Sequence, residues 1–154
     1  MFRILKPGGR LATSTWAFEG WVPGTFEALT NLSLPNQKPV AWPQESCQLT
    51  RIWSPGMWDS DYFTAAMYKN VGFKDVRPDV VSDPVLFHSP EQFCAVYQGL
   101  QFSVVEKYWS KEEKEKLTPR LAETFTKYLR KKHNGDPFGF ERSFVVCSGT
   151  KPLK

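Results

Sequence analysis

Three cysteines and two histidines are the side chains best suited to nucleophilic or metal chemistry in this sequence. Cys47, Cys94 and Cys147 are odd in number and far apart, whereas a disulfide framework needs an even set and a metal clip needs close pairs such as Cys-x-x-Cys. They read as reduced structural thiols, and no metal site is expected. His88 and His133 could in principle serve a thiol or act as a base. His88, just before Ser89, is the one weak catalytic candidate; otherwise no catalytic residue can be named.

Aromatic residues make up 15% of the chain, with six Trp and twelve Phe. Trp16, Trp21, Trp42, Trp53 and Trp58 share a segment with Pro23, Pro35, Pro39, Pro43 and Pro55. Proline excludes a long helix or a central strand there, so these rings must come from loops and short helices. Flat rings with a polar tip can wall a concave site for an apolar or aromatic small molecule, or can simply pin the loops down. Trp16, Trp21, Trp42, Met57, Trp58 and Phe87 are the substrate-facing candidates.

Composition narrows the class. A chain of 154 residues that is 41% hydrophobic and 23% charged suits one globular domain. Its length lets it bury a core without disulfides or metal. A net charge of +4 would suit nucleic acid, but the cations are interspersed. The densest group, Lys127, Arg130, Lys131 and Lys132, falls at a predicted helix end, where the dipole favours cations. No nucleic-acid partner is expected. Apolar runs such as Phe93–Tyr97 fall far short of the ~20 residues of a membrane span. The opening residues lack the apolar stretch of a secretory signal. The expectation is a cytoplasmic protein without a membrane partner.

The elements that must position these residues follow from local signals. Phe2–Leu5 reads as the last turn of a helix stopped by Lys6-Pro7-Gly8-Gly9. Residues 10–16 alternate as a strand, with Leu11, Thr13 and Thr15 on one face. Residues 58–72 form a helix capped by Asp59 or Ser60, apolar at Phe63, Ala66, Met67 and Val71, and closed by Gly72. Residues 73–81 form a strand, placed at an edge by Pro78. Ser89-Pro90-Glu91-Gln92 and Ser110-Lys111-Glu112-Glu113 open two further helices. Pro119 predicts a kink or restart in the second. Residues 140–149 form the third strand.

The string Phe2-Arg3-Ile4-Leu5-Lys6-Pro7-Gly8-Gly9-Arg10-Leu11, leading into a strand that ends Ser14-Thr15-Trp16, resembles the approach to the fifth strand of class I S-adenosylmethionine-dependent methyltransferases. Ala66–Val76 is similar to that family's helix, Gly-Phe turn and sixth strand, and residues 143–151 to its last strand. The resemblance implies an α/β, truncated Rossmann-like fold whose three-stranded mixed sheet has the family order 5-7-6: residues 140–149 lie between 10–16 and 74–81 and antiparallel to both. It implies one partial domain over residues 1–154, with 17–56 and 84–137 as variable substrate-side insertions. The Gly-rich turn and the acidic ribose clamp of the cofactor-binding half have no counterpart here, because Gly8-Gly9 precedes a strand instead of following one. No cofactor-binding residue is therefore expected, and S-adenosylmethionine enters only if a partner supplies the missing half.

These readings imply a methyltransferase-like protein of small-molecule, secondary metabolism. The alternatives are a cofactor-independent cyclase or isomerase with an aromatic pocket, and a non-catalytic interaction subunit. The outer edge of strand 10–16 is expected to be filled by a second copy in a homodimer, by a partner chain, or by a refolded segment such as residues 22–34.

Overall fold

The computed structural model describes residues 1–153. Alternation over residues 10–16 gives strand β1 (Arg10–Glu19), which runs past its expected end because a bulge between Trp16 and Phe18 absorbs one residue. Strand β5 (Arg142–Thr150) pairs with β1 on one side and with β2 (Lys74–Ser82) on the other. Both ladders are antiparallel; Cys147 stands opposite Thr13 in one and Pro78 in the other. The sheet is thus mixed only in the sense that β1 and β2 point the same way, since no parallel ladder is formed. Pro78 sits on an edge strand, where its missing N–H breaks no central ladder.

Helix α1 (Trp21–Phe26) carries Pro23 in its first turn, where helix N–H groups lack partners in any case. A 3-10 turn, Glu27–Leu29, continues it. Residues 22–29 are thus helical and 30–34 are turn and loop, with Val22, Leu29, Leu32 and Leu34 buried, which removes them as a candidate strand beside β1. Helix α2 (Ser46–Trp53) begins with a capping box between Glu45 and Gln48. In α3 (Asp61–Val71) the cap is Ser60, whose hydroxyl accepts from the Phe63 N–H at 3.3 Å. Gly72 closes α3 at φ 107°, where a side chain would be strained and a Cβ would press on Phe2. The opening helix turn is a 3-10 turn, Phe2–Ile4, and the Lys151 ammonium donates to the carbonyls of Phe2 (3.1 Å) and Leu5 (2.8 Å).

Strand β3 (Val85–Phe87) pairs with β4 (Phe138–Phe140) in a second, two-stranded sheet too short to leave a periodic signal. Between them lie α4 (Pro90–Tyr108) and α5 (Lys111–His133), capped by Ser89 and Ser110 as their sequences predict. The α5 helix runs through Pro119 as one element, without the expected restart.

Two cores result. The larger gathers the aromatic residues of the helical part around Phe93, whose ring lies 5.3–6.4 Å from Trp21, Phe87, Tyr97, Phe125, Phe138 and Phe140. The smaller, under the sheet, has only Tyr68, Phe73 and Cys147 fully buried. Glu19 joins the two: it ends β1 at 1% exposure, its carboxylate accepts from the Tyr97 hydroxyl at 3.3 Å, and its N–H donates to Ser46 Oγ at 2.7 Å.

Truncating the hub, Phe93→Ala, is expected to cost about 3–5 kcal/mol in denaturant unfolding, because rigid rings on every side cannot collapse into the void. Burial pushes the Glu19 carboxyl above its usual range, against the lowering effect of Arg142. The folded protein therefore holds that proton more tightly than the unfolded chain. This group's contribution to stability is greatest below the ordinary carboxylate range and falls as pH rises through the raised value. Glu19→Gln keeps an acceptor for Tyr97, so its stability relative to the wild type should rise over that window; urea unfolding across pH checks it.

Candidate functional site

An apolar cleft of about 580 Å³ opens along the sheet between β1 and α3. Its floor is Leu11, Thr13 and Thr15 of β1, the face expected to point one way from alternation, with Trp16 at the end. Thr50 and Trp53 of α2 and Trp58 of the following loop form one wall, and Met67, Tyr68 and Val71 of α3 the other. The fold explains why α3 has apolar residues to spare. Its buried face is Thr64, Ala65 and Tyr68, while part of the predicted apolar stripe, Met67 and Val71, looks into the cleft.

Hydrogen bonds fix the walls. The Thr15 hydroxyl donates to the Trp58 carbonyl at 2.7 Å, and the Trp58 indole donates to the Pro55 carbonyl at 3.0 Å, so the loop is tied both to β1 and to itself. The Tyr68 hydroxyl donates to Thr13 Oγ1 at 2.9 Å, which leaves the Thr13 hydrogen to donate onward. Burial raises the Tyr68 pKa, so it stays a neutral phenol. Trp16 and Trp53 stand 5.8 Å apart with tilted rings, and Trp58 meets Phe63 edge-on at 5.3 Å. No charged side chain lines it. The cleft can hold a neutral, flat molecule by ring contact and hydroxyl hydrogen bonds, and its walls carry no carboxylate, imidazole or lysine side chain.

Of the six substrate-facing candidates the structure brings together two, Trp16 and Trp58. Met57, beside Trp58, is 52% exposed and outside the cleft walls. Trp21, Trp42 and Phe87 are corrected to core residues. Trp21 stacks on Tyr97 at 5.0 Å, Trp42 packs against Phe125 and Trp109, and Phe87 lies 1% exposed against Phe93. Clustered tryptophans told of burial without telling which core each would join. Trp53 of α2 and Met67 and Tyr68 of α3 are among the cleft residues missed. Met67 had a signal, the apolar stripe of α3; Trp53 and Tyr68 had none that separated them from core residues.

His88 is exposed on the approach to α4, its N–H donating to Gln92 Oε1 at 2.7 Å, and it lies outside the cleft, so it is no base for that site. His133 stacks on Phe138 at 4.6 Å, and burial lowers its pKa. All three cysteines are free, and burial raises each thiol's pKa, which makes them poor nucleophiles. Among the described residues no group of His, Cys, Asp and Glu is placed to hold a metal, and no helix is long and apolar enough to cross a membrane. Three of the four cations at the end of α5 are engaged locally: Lys127 pairs with Glu123 at 2.6 Å, Arg130 with Glu91, and Lys132 donates to the Gly24 carbonyl at 3.0 Å.

Two distant relatives that comparison with known proteins finds are from fungi. The chain is 25% identical to methyltransferase tpcH of Aspergillus fumigatus over 151 residues, covering 97% of this chain and 51% of that protein. It is 22% identical to methyltransferase ktnA of Aspergillus niger over 153 residues, covering 98% of this chain and 48% of that protein. The chain is distantly methyltransferase-like. It spans about half the length of the curated relatives it matches. No protein-family model matches it.

Removing the phenol that braces the floor, by Tyr68→Phe, is expected to cost about 1 kcal/mol, the usual net value of one such hydrogen bond. Thr13→Val should cost more, since it strands the phenol of Tyr68 without its acceptor. Equilibrium unfolding of the two variants checks the order.

Proposed function

We propose that this chain is a methyltransferase-like protein of small-molecule, secondary metabolism, which binds an apolar or aromatic molecule in the β1–α3 cleft and does not transfer a methyl group by itself. The observation that carries the reading is the union of similarity to two fungal methyltransferases over nearly the whole of this chain with an aromatic cleft, free of charged side chains, along residues 11–16 of β1. In this reading the three-stranded sheet corresponds to family strands 5, 7 and 6, and residues 17–56 and 84–137 are the substrate-side insertions. Those two segments carry α1, α2, α4 and α5 and most residues of the larger core.

The cleft's chemistry supports binding and orientation rather than catalysis. Methyl transfer in this fold class needs a backbone cradle for the cofactor and a partner for its ribose. Lacking both, the chain would use S-adenosylmethionine only with a partner supplying that half. The cyclase or isomerase alternative draws on the same aromatic walls, but a lining without charged side chains favours it less.

Calorimetry separates these readings. A neutral hydroxylated aromatic such as 2-naphthol should bind with a dissociation constant in the range of about 10–500 μM, and Trp53→Ala should weaken it about tenfold. S-adenosylmethionine titrated into the chain alone should bind no tighter than about 1 mM. Micromolar affinity for S-adenosylmethionine would overturn the partner requirement, and a cleft indifferent to both naphthol and Trp53→Ala would overturn the binding assignment.

A further inference from the structure

A groove of about 720 Å³ runs along α5 against residues 27–32. It shares no residue with the cleft, and none of its walls belongs to a sheet. Apart from Ala28 and Leu32 its lining is charged, hydroxyl or amide: Arg120, Lys127, Lys131 and Lys132 are set against two carboxylates, Glu27 and Glu123. The four cations are not equivalent. Lys132 is engaged in the fold, donating to the Gly24 carbonyl at 3.0 Å and to the Tyr128 hydroxyl at 3.2 Å. Lys127 pairs with Glu123 at 2.6 Å, but both side chains are more than half exposed, so a competing carboxylate displaces that pair at little cost. Arg120 and Lys131 are exposed, and among the described residues neither side chain makes an ion pair or a hydrogen bond.

We propose that this groove binds an extended acidic segment of a partner protein, its carboxylates meeting Arg120, Lys127 and Lys131. The three cations follow one another at intervals of seven and four residues, which sets them on one stripe of α5, about 10 Å and about 6 Å apart along the axis. A compact anion cannot bridge all three. An extended chain advances about 3.3 Å per residue, so acidic residues three and two positions apart match that spacing. Two features select a peptide over a nucleic acid. The Tyr128 ring packs on the larger core and has the Lys132 ammonium 5.3 Å from its centroid, which leaves no open face on which a base could stack. Glu27, to which the Tyr128 hydroxyl donates at 3.1 Å, and Glu123 would repel a backbone charged at every residue, whereas a peptide's N–H groups can donate to them. This inference rests on the α5 groove and stands apart from the methyltransferase reading.

Fluorescence anisotropy with a fluorescein-labelled peptide, Gly-Asp-Ala-Asp-Ser-Ala-Asp-Gly, titrated with the purified chain at about 0.05 M salt tests the assignment. The expected result is saturable binding with a dissociation constant below about 1 mM, weakened at least about tenfold when the three Asp of the peptide become Asn. Arg120→Glu combined with Lys131→Glu should weaken it at least about tenfold as well, while Lys69→Glu combined with Lys74→Glu, the same change of net charge away from the groove, leaves it within about twofold. Amide resonances of residues 27–32 and 120–132 should shift on binding. Circular dichroism establishes that each variant is folded. Should the charge reversal fail to fold, Arg120→Gln combined with Lys131→Gln removes the same two contacts and should weaken binding at least about threefold. No saturable binding, an equal loss from the two charge-reversed pairs, a binding site mapped elsewhere, or tighter binding of octathymidylate or inorganic pyrophosphate than of the peptide would each overturn the proposal.

Discussion

The burial of Glu19 is the constraint on which the arrangement of this molecule turns. A carboxyl group at 1% exposure is costly to desolvate, and the Tyr97 hydroxyl of α4 and the nearby charge of Arg142 on β5 offset part of that cost, while the Ser46 hydroxyl of α2 accepts from the Glu19 backbone N–H. Each belongs to a different element, so the end of β1 is pinned to α2, α4 and the central strand at one point. The bulge at Trp16 and Phe18 lies just before it and adjusts the strand so that Glu19 turns inward opposite Arg142. Arg142 is itself held by Asp83, its Nε donating to the Asp83 carbonyl at 3.1 Å. Two cores of unequal size are coupled through this polar seam.

The cleft follows from that coupling. With α2 anchored at Ser46, its other end delivers Trp53 beside Trp16, and the loop that follows brings Trp58 back to the Thr15 hydroxyl. The α3 helix then crosses the sheet with Tyr68 seated on Thr13, which leaves Met67 and Val71 along the open side. A small sheet core and an uncovered apolar stripe are two aspects of the same geometry. The space that a larger core would fill is the cleft.

Most elements were legible because their signals are local. Ser60, Ser89 and Ser110 cap helices as hydroxyl chemistry requires, Gly72 ends α3 because its φ is positive, and Pro78 marks an edge because it cannot donate. The short pair β3 and β4 escaped notice, since three residues cannot show a period of two. Pro119 was overestimated as a breaker; α5 is pinned on both sides of it by buried Leu117 and Leu121, so packing overrides the lost hydrogen bond. Less of the site was legible. Trp16 could be placed because it lies on a readable strand, which runs on to Glu19, and Trp58 because it precedes a readable helix. Trp21, Trp42 and Phe87 lie in segments whose path is set by long-range packing around Phe93, which no local pattern encodes.

The absence of charged side chains from the cleft bears on what kind of molecule this fold can serve. An ionised ligand group would lose water there and meet no charged side chain, whereas an aromatic ring would exchange water for rings and thioether and keep a hydroxyl donor at Thr13. The chain's one deeply buried carboxyl is at the seam, not in the cleft, and its partners are already engaged in holding the two cores together. Moving that carboxyl toward a ligand would unpin β1 from α4. The same group cannot both secure the frame and take part in proton transfer, so a reaction at the cleft finds no carboxylate or imidazole in these walls to carry its acid–base chemistry.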